Sequence, residues 1–327
     1  MSGLDGVRLR LDRVRAAVAE IDSRFLDTPA LPCAPLGRSL GCSVTLKVET
    51  INPVRSFKGR GTEMVAAVAR EKGASRMVCA SAGNLGQALA YSGQRRDLAV
   101  SVVAARTASP LKLRQIAAFG AVISIDGEDI EDARLLAREI AETSGAYLVE
   151  DSLDLATCEG AATIGLELVR DDPELDVVLV AVGGGAMASG VCYAVRSLAE
   201  HVQVIGIQPV GAPAMALSWR QRTVVETDHI ETIADGVAGR CPIPEVLGDL
   251  LVVLDDMMLV REDSIKAGMR MIYEHAGLVV EPSAALGVAA VLEEPERFAG
   301  RRVTTILCGS NVGPADFARW VLEPVSR

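Results

Sequence analysis

Short apolar runs alternate with longer amphipathic ones along most of the chain. Val44–Glu49, Arg76–Ala80, Ala99–Ala104, Ala121–Ile125, Asp176–Val182, Val202–Ile207 and Val303–Leu307 are compact and rich in β-branched residues, and read as strands. Between them, helical spacing runs over Val7–Ile21, Thr62–Arg70, a segment ending at Tyr91, Pro110–Phe119, Glu128–Ser144, Thr157–Val169, a segment ending at Ala199, Arg261–Glu274 and Ser283–Leu292. Residues 208–250 show no period and carry Pro209, Pro213, Pro242 and Pro244, so they read as irregular. Leu251–Leu254 reads as short and β-like. Strand followed by helix, repeated, predicts parallel sheets with right-handed crossovers. The expected fold class is α/β, with two doubly wound open-sheet domains and a site in the cleft between them. Residues 43–150 would form the smaller domain, and residues 1–42 with 151–327 the larger.

In open α/β sheets, ligands bind at the carboxyl ends of strands. Four strand-to-turn junctions there hold small or polar residues: Ser56–Gly61, Ser81–Gln87, Gly183–Met187 and Cys308–Asn311. Lys58 sits where a strand passes to a helix. A helix start is electropositive, and with partial burial that field favours the neutral amine, the form that attacks a carbonyl. Gly59 and Gly61 would let the backbone turn and keep side chains away from the lysine. Taken alone, this stretch is better explained by a solvated lysine at a helix start.

Gly183-Gly184-Gly185 follows the most strand-like run and opens a helix. Successive backbone N–H groups there can face an anion, with the helix dipole behind them. Gly183-x-Gly185-x-x-Ala188 also fits a loose dinucleotide fingerprint. That reading needs an acid after the next strand, where the chain has Gln208. Ser81-Ala82-Gly83-Asn84 could hold a carboxylate or act as an ordinary helix cap. An amine, a lone-phosphate cradle and a carboxylate-binding turn together suit a lysine Schiff base to pyridoxal phosphate acting on an amino acid.

Composition narrows the classes further. Half of the 327 residues are hydrophobic and the formal charge is −10. An acidic surface repels phosphate backbones, so no nucleic-acid partner is expected. No apolar run is long enough to span a bilayer, and the charged start Met1–Arg8 does not read as a signal peptide. The seven cysteines are odd in number and scattered, which suits free thiols in the cytoplasm. The three histidines lie far apart in sequence, which disfavours a His-based metal site.

These motifs, in this order, make the chain resemble the fold type II pyridoxal-phosphate enzymes, the tryptophan synthase β-like superfamily. The nearest likeness is to the serine/threonine dehydratase branch, from about Thr28-Pro29 to Asn311. Thr232–Gly236 and Val280–Ser283 also resemble dehydratase signatures. The resemblance implies that Lys58 carries the cofactor as a Schiff base, with Phe57 near its ring. It implies Asn84 at the ring oxygen, Gly183, Gly184, Gly185, Ala186 and Met187 at the phosphate, and Ser81, Ala82, Gly83 and Asn84 at the substrate carboxylate. Cys308 would lie beside the pyridine nitrogen. A neutral thiol there makes a weaker electron sink, which suits β-elimination.

The implied reaction converts a small hydroxy-amino acid such as L-threonine or L-serine to a 2-keto acid and ammonia. The alternative is a β-replacement synthase. A homodimer is implied. Five departures matter. Ala186-Met187 stands where the family's phosphate loop usually has Gly-Leu. Leu85 stands where dehydratases often have His, and Val54-Arg55 where Thr-Gly is usual. Ala82 replaces the serine that racemases use as a base. Gln208 and Ala214 replace acids of the branch's cation site, so no metal is expected.

Overall fold

The computed structural model describes residues 4–128 and 130–323. Asp129, inside the predicted Glu128–Ser144 helix, lies outside the described residues, as do 1–3 and 324–327; the helix is described over Ile130–Ser144. In chain order the strands are β1 Ala30–Pro32, β2 Ser43–Val48, β3 Arg76–Ala80, β4 Ala99–Ala104, β5 Val122–Ile125, β6 Tyr147–Val149, β7 Val177–Ala181, β8 Gln203–Pro209, β9 Asp256–Val260 and β10 Arg302–Leu307. They form a six-stranded sheet, ordered β1-β2-β10-β7-β8-β9, and a four-stranded sheet, ordered β5-β4-β3-β6. Among the named strands of the described residues, only the β1–β2 pair is antiparallel. Parallel strands must be covered on both faces, and every residue of β7 is buried.

β2 opens the predicted smaller domain, yet it pairs with β10 in the larger sheet, Val44 opposite Val303 and Leu46 opposite Thr305. Sequence order placed it with the strand that follows; pairing, which joins residues far apart, decides otherwise. Three cores result among the described residues. One surrounds the six-stranded sheet and takes in Val14, Leu36 and Leu46. A second lies on the four-stranded sheet and takes in Ala17, Ile21 and Phe25. A small third joins Val78 and Val103 of that sheet to Ala133 and Ala137 of the helix Ile130–Ser144. The first helix puts one residue into each of the first two within a single turn.

That helix runs over Leu11–Glu20, shorter than its apolar spacing predicts. Arg8 is drawn away instead: its backbone N–H and its Nε donate to the two carboxylate oxygens of Asp249, at 2.9 and 2.8 Å. Leu251–Leu254 is a second correction. Val246, Leu247, Leu250 and Val253 are buried at helical spacing, and the helix is Pro244–Val253. Strand β9 begins after it. A further helix, Ala214–Gln221, lies inside the stretch read as irregular, and the Gln208 side-chain oxygen accepts from the Ala216 N–H at 2.8 Å. β1, β6 and the helix Ala34–Leu40 are too short to show a period.

Candidate active site

The lysine turn is stitched to the end of β10. The Phe57 N–H donates to the Cys308 carbonyl at 3.0 Å, and Ser56 bridges to Gly309. Asn52 braces the turn from inside: its side-chain amide donates to the Glu49 and Ser56 carbonyls at 2.8 and 3.1 Å. Arg55 takes a left-handed conformation, φ 52°, and its carbonyl accepts from the Ser310 N–H at 3.0 Å. The helix then starts at Lys58 itself and runs to Glu71.

Gly59 and Gly61 serve packing and not the turn. A Cβ on Gly59 would lie 2.1 Å from the Phe25 ring, and one on Gly61 would lie 2.8 Å from the Thr157 carbonyl. Neither glycine has a positive φ. Below them Arg60 is fully buried. It binds Glu49 at 2.8 Å and Glu167 at 2.6 Å, and Lys47 adds a second cation 2.5 Å from Glu167. Thr28 and Thr163 complete the network. Buried charges persist when paired and hydrogen-bonded in this way.

Lys58 lines a narrow pocket with Phe57, Thr62, Leu85, Asp151 and Ala186. Its Nζ lies 4.8 Å from the Phe57 ring centroid and 2.5 Å from Asp151 Oδ2. Asp151 follows β6, at the carboxyl end of a strand. Its neighbour Ser152 accepts the Ala186 N–H at 3.0 Å, which satisfies one unpaired donor of the helix Ala186–Leu198.

The glycine run packs around this turn. A Cβ on Gly184 would lie 2.7 Å from Ser152 Oγ and 3.9 Å from Asp151 Oδ2; one on Gly183 would lie 2.9 Å from the Gly236 carbonyl. Gly185 needs its positive φ of 106° and would strike Val246. The lysine and the glycine loop therefore meet on two sides of Asp151-Ser152. Ala186 lines the cavity, while Met187 is buried in the larger core.

Asn84 opens the helix Asn84–Arg95, and Gly83 precedes it with no side-chain cap. The Asn84 amide donates to Glu281 Oε1 and Oε2 at 2.8 and 3.1 Å. Its oxygen accepts from Asn311 Nδ2 at 2.7 Å. Glu281 is buried, and its backbone N–H donates to the Gly309 carbonyl at 3.0 Å. Burial raises its carboxyl above the usual range, with the Asn84 hydrogen bond opposing. Ser81 accepts from the Gly83 N–H at 3.2 Å; with Ala82 it lies partly exposed at the end of β3, outside the lysine cavity. Cys308 is buried, and burial pushes its thiol up, with Glu281 adding to the effect, so the group is neutral.

Sequence reasoning missed Asp151, Ser152 and Asn311. Asp151 and Ser152 follow a three-residue strand too brief to recognise. Asn311 was quoted only as the end of a turn. Glu281 sat inside a quoted signature without a role.

The residues present fit pyridoxal phosphate. A primary amine opens on a cavity beside a loop whose glycines leave no room for a Cβ. Buried Ser189 Oγ, one turn into the helix after that loop, has no partner.

Comparison with known proteins agrees. The chain is 34% identical over 283 residues to the L-threonine ammonia-lyase of Thermotoga maritima, covering 85% of this chain and 69% of that one. It is 32% identical over 324 residues to the phenylserine dehydratase of Ralstonia pickettii, covering 98% and 95%. Some relatives are longer: the chain spans 56% of the biosynthetic L-threonine dehydratase of Pasteurella multocida, at 29% identity over 87% of this chain. Among solved structures, maize serine racemase superposes with a TM-score of 0.89 at 26% identity, covering 94% of this chain and 95% of that one. Threonine deaminase isoform 2 of Solanum lycopersicum gives 0.87 at 26%, covering 95% and 93%. The family described as pyridoxal-phosphate dependent enzyme matches residues 21–309, and this chain belongs to it.

Proposed function

We propose that this chain is a dehydratase of hydroxy-amino acids, releasing a 2-keto acid and ammonia. The observation that supports the reading is the shared pocket of Lys58, Leu85 and Ala186, which brings the amine to the starts of the two helices that follow the Ser81–Asn84 turn and the glycine loop. The relatives' names support it, since L-threonine ammonia-lyase and phenylserine dehydratase both eliminate from β-hydroxy amino acids.

Lys58 would hold the cofactor, Gly183–Ala186 its phosphate and Phe57 its ring. Asn84 and Cys308 would face the ring's polar atoms. When bound, the cofactor supplies an electron sink for the substrate's α-carbon and an acidic phosphate for the departing hydroxyl. The protein supplies the rest. The turn Ser81, Ala82, Gly83 and Asn84 would orient the substrate carboxylate, through the Ala82 N–H and the Ser81 hydroxyl; the Ser81 N–H is taken by the Val103 carbonyl and the Gly83 N–H by the Ser81 side chain. The Lys58 amine removes the α-proton as a general base. The neutral Cys308 thiol limits how long a carbanion persists, which favours early loss of the β-hydroxyl. Ala82 offers no second base on the opposite face, which disfavours racemisation.

The unpaired cysteines support a reducing cytoplasm. A homodimer is carried over from the resemblance, and light scattering tests it.

The deciding experiment is the absorbance spectrum of the purified protein with pyridoxal phosphate, before and after L-threonine, L-serine or phenylserine. A visible band trapped on Lys58 by borohydride, with keto acid and ammonia formed from one substrate, supports the proposal. A band without keto acid from any of the three overturns the dehydratase assignment and leaves β-replacement.

A further inference from the structure

The acidic partner of Lys58 is not demanded by the chemistry described so far. The amine can carry the cofactor and take a proton without a carboxylate touching it. Yet Asp151 Oδ2 stands 2.5 Å from Nζ, with side chains 18% and 30% exposed for Lys58 and Asp151. Among the described residues this is the ion pair that Asp151 makes.

The position of Asp151 is built. Its backbone carbonyl accepts from the Thr157 hydroxyl. The next two carbonyls, of Ser152 and Leu153, accept from the Arg8 guanidinium at 3.4 Å each. Its second oxygen, Oδ1, is buried without a hydrogen-bond partner. The backbone that carries this carboxylate is thus anchored at three successive carbonyls. The buried thiols of Cys79 and Cys158 feel its charge: burial first, and Asp151 second, push both up to about 12. They are neutral and do not compete for the lysine.

We propose that Asp151 is a positioning residue for the reaction, holding the Lys58 amine in the cavity whenever that amine is not bonded to the cofactor. The inference rests on the role proposed above for Lys58. Lys58 alternates between two states. When it captures the cofactor, Nζ forms a C=N bond to the aldehyde carbon, and the carbonyl oxygen leaves as water with the two amine hydrogens. The pair with Asp151 must break first. When the amino-acid substrate takes over that carbon, Nζ regains its hydrogens and swings free. Asp151 then receives an N–H and keeps Nζ from wandering into solvent. The proton removed from the α-carbon resides on Nζ, and the resulting ammonium stays paired until the proton passes on.

This role predicts effects of opposite sign. Asp151→Asn keeps the shape and removes the charge. Capture of pyridoxal phosphate by the cofactor-stripped full chain, followed by growth of the visible band, is expected to quicken roughly five-fold, because no ion pair need be broken. Turnover of the loaded enzyme is expected to fall about 100-fold in kcat, because a misplaced base is costly. KM is expected to change much less. Asp151→Glu, which retains the charge, should recover part of kcat. A merely structural defect would slow both steps. Slower or unchanged capture in Asp151→Asn, or an unchanged kcat, overturns the proposal. Should the asparagine variant fail to melt cooperatively, Asp151→Ser is read by the same two rates. If the wild-type protein forms no visible band with pyridoxal phosphate, the proposed role of Lys58 fails instead, so the two failures are distinct.

Discussion

The side-chain amide of Asn84 donates to both oxygens of Glu281, at 2.8 and 3.1 Å. Asn84 follows a strand of the four-stranded sheet, and Glu281 is tied through Gly309 to the last strand of the six-stranded one. The bond thus crosses the cleft, on the side of the lysine turn where Cys308 lies. An amide that satisfies a buried carboxyl also has its own orientation fixed, and the Asn311 amide, donating to the Asn84 oxygen at 2.7 Å, fixes it from the other end.

Glu281 should mark the pH dependence of stability. Burial raises its carboxyl above the ordinary value of 4.5 in the folded chain. The folded state then binds the proton more tightly than the unfolded state does. Stability from this group is present below that ordinary value and is lost as pH rises through the folded one. Glu281→Gln cannot titrate. The melting temperature of the variant relative to wild type is expected to rise as pH is raised from 4.5. A difference that stays flat with pH would show that the carboxyl does not titrate in that window.

Lys58→Ala removes the amine that faces the cavity. The visible band with pyridoxal phosphate is expected to vanish, and turnover to fall by at least about 10²–10⁴-fold, the range that a general base contributes. Assay of keto acid release beside the spectrum checks both. Full activity in this variant would remove the proposed mechanism.

Gly184→Ala places a methyl group 2.7 Å from Ser152 Oγ, which already accepts the Ala186 N–H. Overpacking of this kind costs about 1–3 kcal/mol. The weakening should appear chiefly as looser binding of pyridoxal phosphate, measured by equilibrium titration. Replacing Ser152 by Gly in the same chain should recover part of the loss of stability.

Arg60→Met leaves Glu49 and Glu167 facing each other in the interior with only Lys47 to compensate. Breaking a buried pair from one side costs about 3–5 kcal/mol. Urea denaturation is expected to show that loss. Adding Glu49→Gln and Glu167→Gln should return part of it, since the uncompensated charges are then gone.

Much of this was legible in the sequence, for identifiable reasons. The glycine run fell just after a strand, β7, as expected, while Lys58 opens its helix with residues 49–57 between it and the end of β2. The function of Gly59 and Gly61 was not legible, because their crowding comes from Phe25 and Thr157, which lie far away in the chain. Asp151 was hidden for a similar reason: an acid shows as a lysine's partner only once β6 brings it there. Leu251–Leu254 misled because a short apolar run shows no period of its own; the helical spacing of Val246, Leu247, Leu250 and Val253 appears only over the whole helix. Chain order could not show that β2 belongs to β10.

That pairing has a consequence for synthesis. β10 lies between β2 and β7, so the middle of the larger sheet is filled by its latest-made strand. On the ribosome, β2 emerges early and must wait for residues 302–307 before its parallel neighbour exists. Until then its apolar edge is open to other chains. Contacts of such long range close slowly, because a large loop must be ordered before they form. The lysine turn hangs from the same strand through Cys308 and Gly309, so it is braced only after residues 302–309 are made. A nascent chain stalled short of β10 would present an unpaired edge for a chaperone to shield, and a lysine turn without its brace.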